Sequence, residues 1–238
     1  MRFVIAVAML LGAGAASAGN VQGQLTSDTT WTSTGSPYTL TGDVTVPTGV
    51  TLTIQPGVEV IAAATDGARG GVDTTRVELI VRGTLRVPGT ESSPITFKAV
   101  SASAGTWRGL RVESGTTSTL SGVLVRDALY GLEVTGAGTS VTLASSTLTA
   151  NSYGAYASAN GTLAMDHTQV YANRQAGIFF KNGNGTLLYN TITANSGDES
   201  YGIYISNSAY SYSVSISNSI ITQHAYGIYQ DTRFGLGR

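Results

Sequence analysis

Carboxylates do acid–base work when two of them face each other across a bound group, so the charged residues are taken first. Beyond residue 120 the acidic residues are Asp127, Glu133, Asp166, Asp198, Glu199 and Asp231, and the only histidines are His167 and His224. Asp166-His167 has two readings, a general acid–base pair or an exposed turn. Asp198-Glu199 can supply calcium with oxygen, but calcium takes about six or more such ligands, and a solvated turn is the other reading. The chain has zero Cys, which excludes disulfides and thiolate metal sites. No metal or other cofactor is called for beyond that calcium.

Position within a repeat decides which of these residues can meet. Tyr130-Gly131-Leu132, Tyr153-Gly154-Ala155, Ala176-Gly177-Ile178, Tyr201-Gly202-Ile203 and Tyr226-Gly227-Ile228 recur with their glycines 23, 23, 25 and 25 residues apart. Trp107-Arg108-Gly109-Leu110 lies 22 residues upstream, and Gly83 and Gly57 continue the series as its first two members. A second series runs Leu124, Leu148, Val170, Ile192, Ile221, and three residues after each come Asp127, Asn151, Asn173, Asn195 and His224.

Each repeat therefore holds two short alternating segments joined by small polar residues. Alternation is a strand signal, and the mature chain has no helical spacing. Such a unit fits one turn of a parallel β-solenoid, with equivalent strands about 4.8 Å apart. Leu148, Val170 and Ile192 then stack in an internal column. Asn151, Asn173 and Asn195 form a ladder of side-chain amides along a bend. Nearest-neighbour stacking stabilises such a solenoid without disulfides. The glycines are expected at tight bends or positive φ.

In that frame no two acidic residues on neighbouring coils beyond residue 120 share a position. Lys181 and Asp231 share one, but two coils apart, roughly 10 Å. If the chain is an enzyme, its acid–base chemistry falls to Asp166, Lys181 and Asp231. Tyr156, Phe179, Tyr204 and Tyr229 stand two residues after the phased glycine and point outward if their neighbours point inward. They form either a stripe that stacks sugar rings or a ladder that only stabilises the sheet. Paired threonines at Thr147/Thr149 and Thr191/Thr193 suggest an ice-binding array, but Gln169 and Tyr171 interrupt it.

Met1 to Ala18, with an apolar run from Phe3 to Leu11 and Ala16-Ser17-Ala18 at its end, reads as a secretory signal peptide. No other stretch is long and apolar enough to span a membrane. Export predicts a secreted, periplasmic or cell-surface protein. A formal charge of −1 with 11% charged residues gives no electrostatic reason for nucleic-acid binding. Residues 19–238 read as one domain. Residues 19–50 form its cap and first strands, and Ala64 to Thr75 is a loop inserted between coils. The sequence stops at Phe234-Gly235-Leu236-Gly237-Arg238 with no cap-like segment. That leaves further coils or end-to-end self-association open.

The phased Tyr-Gly-Ile-Tyr-Ile segments, the asparagines and the opening runs Gly42-Asp43-Val44-Thr45-Val46-Pro47, Leu52-Thr53-Ile54-Gln55-Pro56-Gly57 and Leu79-Ile80-Val81-Arg82-Gly83-Thr84-Leu85 resemble exported bacterial proteins of the pectin-lyase-like superfamily. The resemblance implies an all-β, right-handed parallel β-helix of about eight coils with an N-terminal cap. That superfamily hosts lyases, hydrolases, esterases, epimerases, adhesins and passenger domains, so function rests on the site. The clustered carboxylate strings of its lyases and hydrolases do not occur here. The reading is an exported non-catalytic protein that binds a polysaccharide or cell-surface glycan, or serves as a surface element. A polysaccharide lyase or glycoside hydrolase, and a fragment of a larger surface protein, are the alternatives.

Overall fold

The structure, a computed structural model, describes residues 19–197, 200–208 and 212–231. All strand pairing within its sheets is parallel, and each strand pairs with its counterpart one coil away. Three strands make a coil, not two. The first face stacks eight strands, from Thr29–Trp31 through Ser140–Ala144 to Val214–Ser217. The second face runs from Glu59–Ala62 through Thr147–Thr149 to Ile220–Thr222. The third runs from Glu78–Val81 through Tyr153–Ser158 to Tyr226–Gln230. The long strand Tyr38–Val46 joins the last two faces, pairing with Glu59–Ala62 through residues 38–40 and with Glu78–Val81 through residues 44–46.

The first face escapes the sequence pattern for a physical reason. Its strands turn only two side chains inward, such as Val141 and Leu143, among Ser, Thr and Gly that resemble a linker. The inward columns of all three faces meet in one core. Leu148, Val170 and Ile192 stack in register and are fully buried. Burial of each such side chain contributes about 1.5–3 kcal/mol. Phe180 projects inward from the third face across to the first, where a side chain at Gly185 would meet its ring at 2.4 Å. The glycine makes the room that the phenyl fills.

Two positions in the repeat differ from the sequence reading. Leu124 pairs with Thr147, and it is Val125 that stands over Leu148. Val123 and Val125 are buried while Leu124 turns outward, because side chains alternate and only one parity faces the core. The residue before Asn151 in the corner column is therefore Ala128, not Asp127. Gly57 and Gly83 also leave the glycine series: Gly109 pairs with Glu78, while Gly83 sits at the corner after the third face. Gly57, at φ +78°, belongs to the turn before the second face.

At the N-terminal end, Gly19–Gln24 pairs with Tyr38–Val46. Trp31 and Tyr38 stack at 4.9 Å beneath it and are buried. The inserted loop lies within one coil, between Ala62 on its second face and Glu78 on its third, and not between coils as the sequence suggested. Among the described residues no helix is long and apolar enough to cross a membrane.

Candidate functional site

The bend between the second and third faces is built by Asn151, Asn173 and Asn195. The Asn151 amide donates to Asn173 Oδ1 at 3.1 Å, and Asn173 donates to Asn195 Oδ1 at 3.5 Å. Each Oδ1 also accepts the backbone N–H of the residue one coil earlier, at Ala128, Asn151 and Asn173. His224 ends the ladder. Its Nδ1 accepts from the Asn195 N–H at 3.4 Å and its Nε2 faces the Ile192 carbonyl at 3.1 Å. Burial holds the imidazole below its usual pKa, although the carbonyl contact opposes that shift.

The phased glycines answer to this ladder. A Cβ on Gly154 would lie 2.5 Å from the Gly177 carbonyl and 3.1 Å from Asn173 Nδ2. Close approach therefore requires glycine here, where the sequence suggested bends and positive φ. A second corner uses Thr168 N–H to Asn190 Oδ1 at 3.0 Å and Asn190 N–H to Ser219 Oγ at 3.1 Å. Its residue types vary from coil to coil, so repetition does not reveal it.

With the ladder fixing the bend, Tyr156, Phe179, Tyr204 and Tyr229 stand in register on the outside of the third face. Centroids along that column are 5.2, 4.7 and 5.4 Å apart. Tyr130, Tyr153, Tyr201 and Tyr226 join from the bend, so eight rings on five coils form one connected band. The stacked rings, such as Phe179 and Tyr204 at 4.7 Å and 6°, turn their faces toward one another, so what they leave to water lies mainly at their edges. Tyr226 is 46% and Tyr229 36% exposed, and the other six rings are half-buried. Burial raises the Tyr130, Tyr153 and Tyr156 phenols further above the ordinary value, so they remain neutral donors.

The band ends against charged residues. The columns continue toward the N-terminus through Glu133 and Arg111. Arg108 lies 5.3 Å over the Tyr130 ring and pairs with Glu133 at 3.0 Å. Arg111 pairs with Glu133 and, at 2.7 Å, with Glu113, which Arg82 also holds at 2.6 Å. Burial pushes the Glu113 carboxyl up, but these two arginines outweigh it and hold the group below its usual range.

Beyond the arginines, buried carboxylates lie beneath and within the inserted loop. Glu78 is inaccessible, and Asp43 and Asp66 are 5% exposed. Asp43 Oδ1 accepts the Glu78 N–H at 2.7 Å, and Asp66 Oδ1 accepts the Asp43 N–H at 3.2 Å. Burial, with the charges of Asp66, Glu78 and Asp73 adding to it, raises Asp43 to about 7 despite the Glu78 N–H. A sequence reading that weighs only carboxylates beyond residue 120 passes over this end. Asp43-Val44-Thr45-Val46 alternates as Gly109-Leu110-Arg111-Val112 does, but Glu78 is followed by the unbroken apolar run Leu79-Ile80-Val81, so no shared string sets the two acids side by side.

The other candidates lie apart. Asp166 ends a first-face strand and bonds His167 at 2.9 Å, with both side chains well exposed. Lys181 ends a third-face strand, so those two do not share a face. Asp231 follows Gln230 at the position that lines up with Lys181, with Ser206 between. Thr147, Gln169 and Thr191 are in register, as are Thr149, Tyr171 and Thr193, so the threonine array is interrupted on this face. Residues 1–18, expected to be a signal peptide, Asp198-Glu199 and the terminal residues 234–238 lie outside the described residues. Among the described residues no three acidic, His or Cys side chains are grouped to hold a metal ion.

Residues 87–235 match a family model described as the right-handed β-helix region. Residues 23–124 match one described as a pectate-lyase-like β-helix domain. No curated protein and no solved structure matches the chain.

Proposed function

The chain belongs to the right-handed β-helix family, and from that premise we propose that it is an exported, non-catalytic protein that binds an extended glycan along its third face. The observation that carries this reading is the band of eight aromatic rings, which repeats once per coil and ends at Arg108 and Arg111. A tyrosine ring offers a sugar an apolar edge and a phenolic hydroxyl together. A spacing near 5 Å resembles the advance of one sugar along an extended polysaccharide. A coil-by-coil band suits a chain ligand better than a compact one.

The carboxylates around the band favour binding over turnover. Glu133 is held by two arginines, and Glu78 and Asp43 are buried beneath the loop. General acid catalysis needs a carboxyl within reach of the leaving oxygen. Uronate-containing and neutral polysaccharides, presented to the wild type and to a Tyr204→Ala/Phe179→Ala double variant, test the reading. Saturable binding without product is expected. Taking each ring–sugar contact as comparable to an aromatic pair, about 0.5–1.5 kcal/mol, the double variant should bind about tenfold more weakly. Product formation, such as unsaturated uronides absorbing in the ultraviolet, overturns the non-catalytic reading, and unchanged binding by the variant overturns the band as the site.

A further inference from the structure

Asp43 Oδ2 and Glu78 Oε2 are buried and have no hydrogen-bond partner among the described residues. Both oxygens face the same spot. A Cβ on Gly71 would stand 2.7 Å from the first and 2.8 Å from the second. The loop that carries Gly71 is tied down by Glu78 and, through the Asp43 N–H that its own Asp66 accepts, by the strand beneath. Glu78 Oε1 accepts the Val72 and Asp73 N–H groups at 3.1 and 2.7 Å. Asp66 accepts those of Ala68 and Gly70 at 2.8 and 2.9 Å. Unpartnered carboxylate oxygens inside a protein are costly, and two like charges side by side raise the cost.

We infer that residues 63–77 form a proton-held strap, closed over the third face while the Asp43–Glu78 pair carries a proton and released as that proton leaves. A proton removes one buried charge and takes no room. Neither a methyl group nor a cation that keeps its water shell fits between the two oxygens and Gly71, while a bare calcium ion, bound by oxygens at about 2.3–2.6 Å, is the rival that added calcium tests. The charges facing the pair are accounted for on every packed element. The strap contributes Asp66, and Asp73 held by Arg76 at 2.7 Å. The third face contributes Arg108, 3.4 Å from Glu78, and Arg111, both engaged with Glu133. Two shared arginines do not neutralise Asp43, Asp66 and Glu78 together. Burial raises both members of the pair above the usual carboxylate range. Release uncovers carboxylates that lie in line with Arg108 and the aromatic band.

Hydrogen exchange of the Val72 and Asp73 amides in the whole chain, expressed as protection factors to remove intrinsic pH dependence, measures strap opening. The open strap leaves Asp43 ionised throughout, while the closed one keeps its proton until pH is about 7. Between pH of about 5.5 and 8.5 protection should therefore fall by about 30-fold. Asp43→Asn keeps the acceptor for the Glu78 N–H and places an amide donor toward Glu78 Oε2, so its protection should stay high and flat. Glu78→Gln should behave alike and serves if the first variant does not fold. The amides of Asn151 and Asn173 should show no such step. Flat protection in the wild type, or the same fall in both variants, overturns the strap. Calcium restoring protection to the wild type at high pH also overturns it, in favour of a cation site.

Discussion

Asn173→Ala probes the physics on which the whole third face depends. The Asn173 side chain accepts the Asn151 N–H and the Asn151 amide, each at 3.1 Å, and donates to the Leu148 carbonyl at 3.1 Å. Alanine leaves a fully buried backbone N–H with no acceptor and strips one partner from a buried carbonyl and a buried amide. An orphaned buried polar group costs about 1–3 kcal/mol, and Asn173 is inaccessible, so water does not reach the gap without repacking. The expected loss is about 3 kcal/mol or more, a large part of the roughly 5–15 kcal/mol typical of a domain. Urea unfolding followed by far-UV circular dichroism is the assay, since Trp31 and Trp107 both lie in N-terminal coils and their fluorescence samples that end. Tyr171→Ala, on the neighbouring second face and 37% exposed, is the control and should move stability by about 0.5 kcal/mol or less. A loss below about 1 kcal/mol for Asn173→Ala would refute the claim that the ladder satisfies otherwise buried groups.

Two further outcomes follow from the same corner. Gly154→Ala drives a Cβ to 2.5 Å from the Gly177 carbonyl, and backbone cannot yield cheaply. A loss of about 1–3 kcal/mol should appear in thermal unfolding without change at the N-terminal strands. His224 has its pKa lowered by burial. The unfolded chain therefore binds the proton more readily, and the stability His224 contributes is present above pH of about 6.5 and lost as pH falls through its lower folded value. His224→Asn replaces the ring with an amide of the ladder type. Unfolding midpoints should lose that acid-side decline, and an unchanged decline would remove His224 as its source.

Much of the chain was legible because a solenoid repeats its physics. Each coil solves the same packing problem, so Leu148, Val170 and Ile192 announce one column, and identical amides at Asn151, Asn173 and Asn195 announce a ladder. The outward parity of Tyr156, Phe179, Tyr204 and Tyr229 follows from alternation on a strand. Where coils solve the problem with different residues, repetition is silent. The Ser146, Thr168, Asn190 and Ser219 corner and the thinly apolar first face were read as linking segments for that reason. Leu124 misled because it is apolar, yet the parity of Val123 and Val125 decides which side faces the core.

The sequence by itself determined that the chain winds in parallel coils and that aromatics gather on one outer face, since both depend on residues one repeat apart. Tertiary structure alone decided what lies at the other end of that face. Asp43, Asp66 and Glu78 are far apart in sequence and occupy different elements, and no local pattern marks them as neighbours. They converge because the loop folds back over a rank in which Asp43 and Glu78 precede Gly109. The raised protonation of Asp43 and Glu78 comes from lost water, and at Asp43 from neighbouring negative charge as well. Both are properties of the assembled face and not of any one residue.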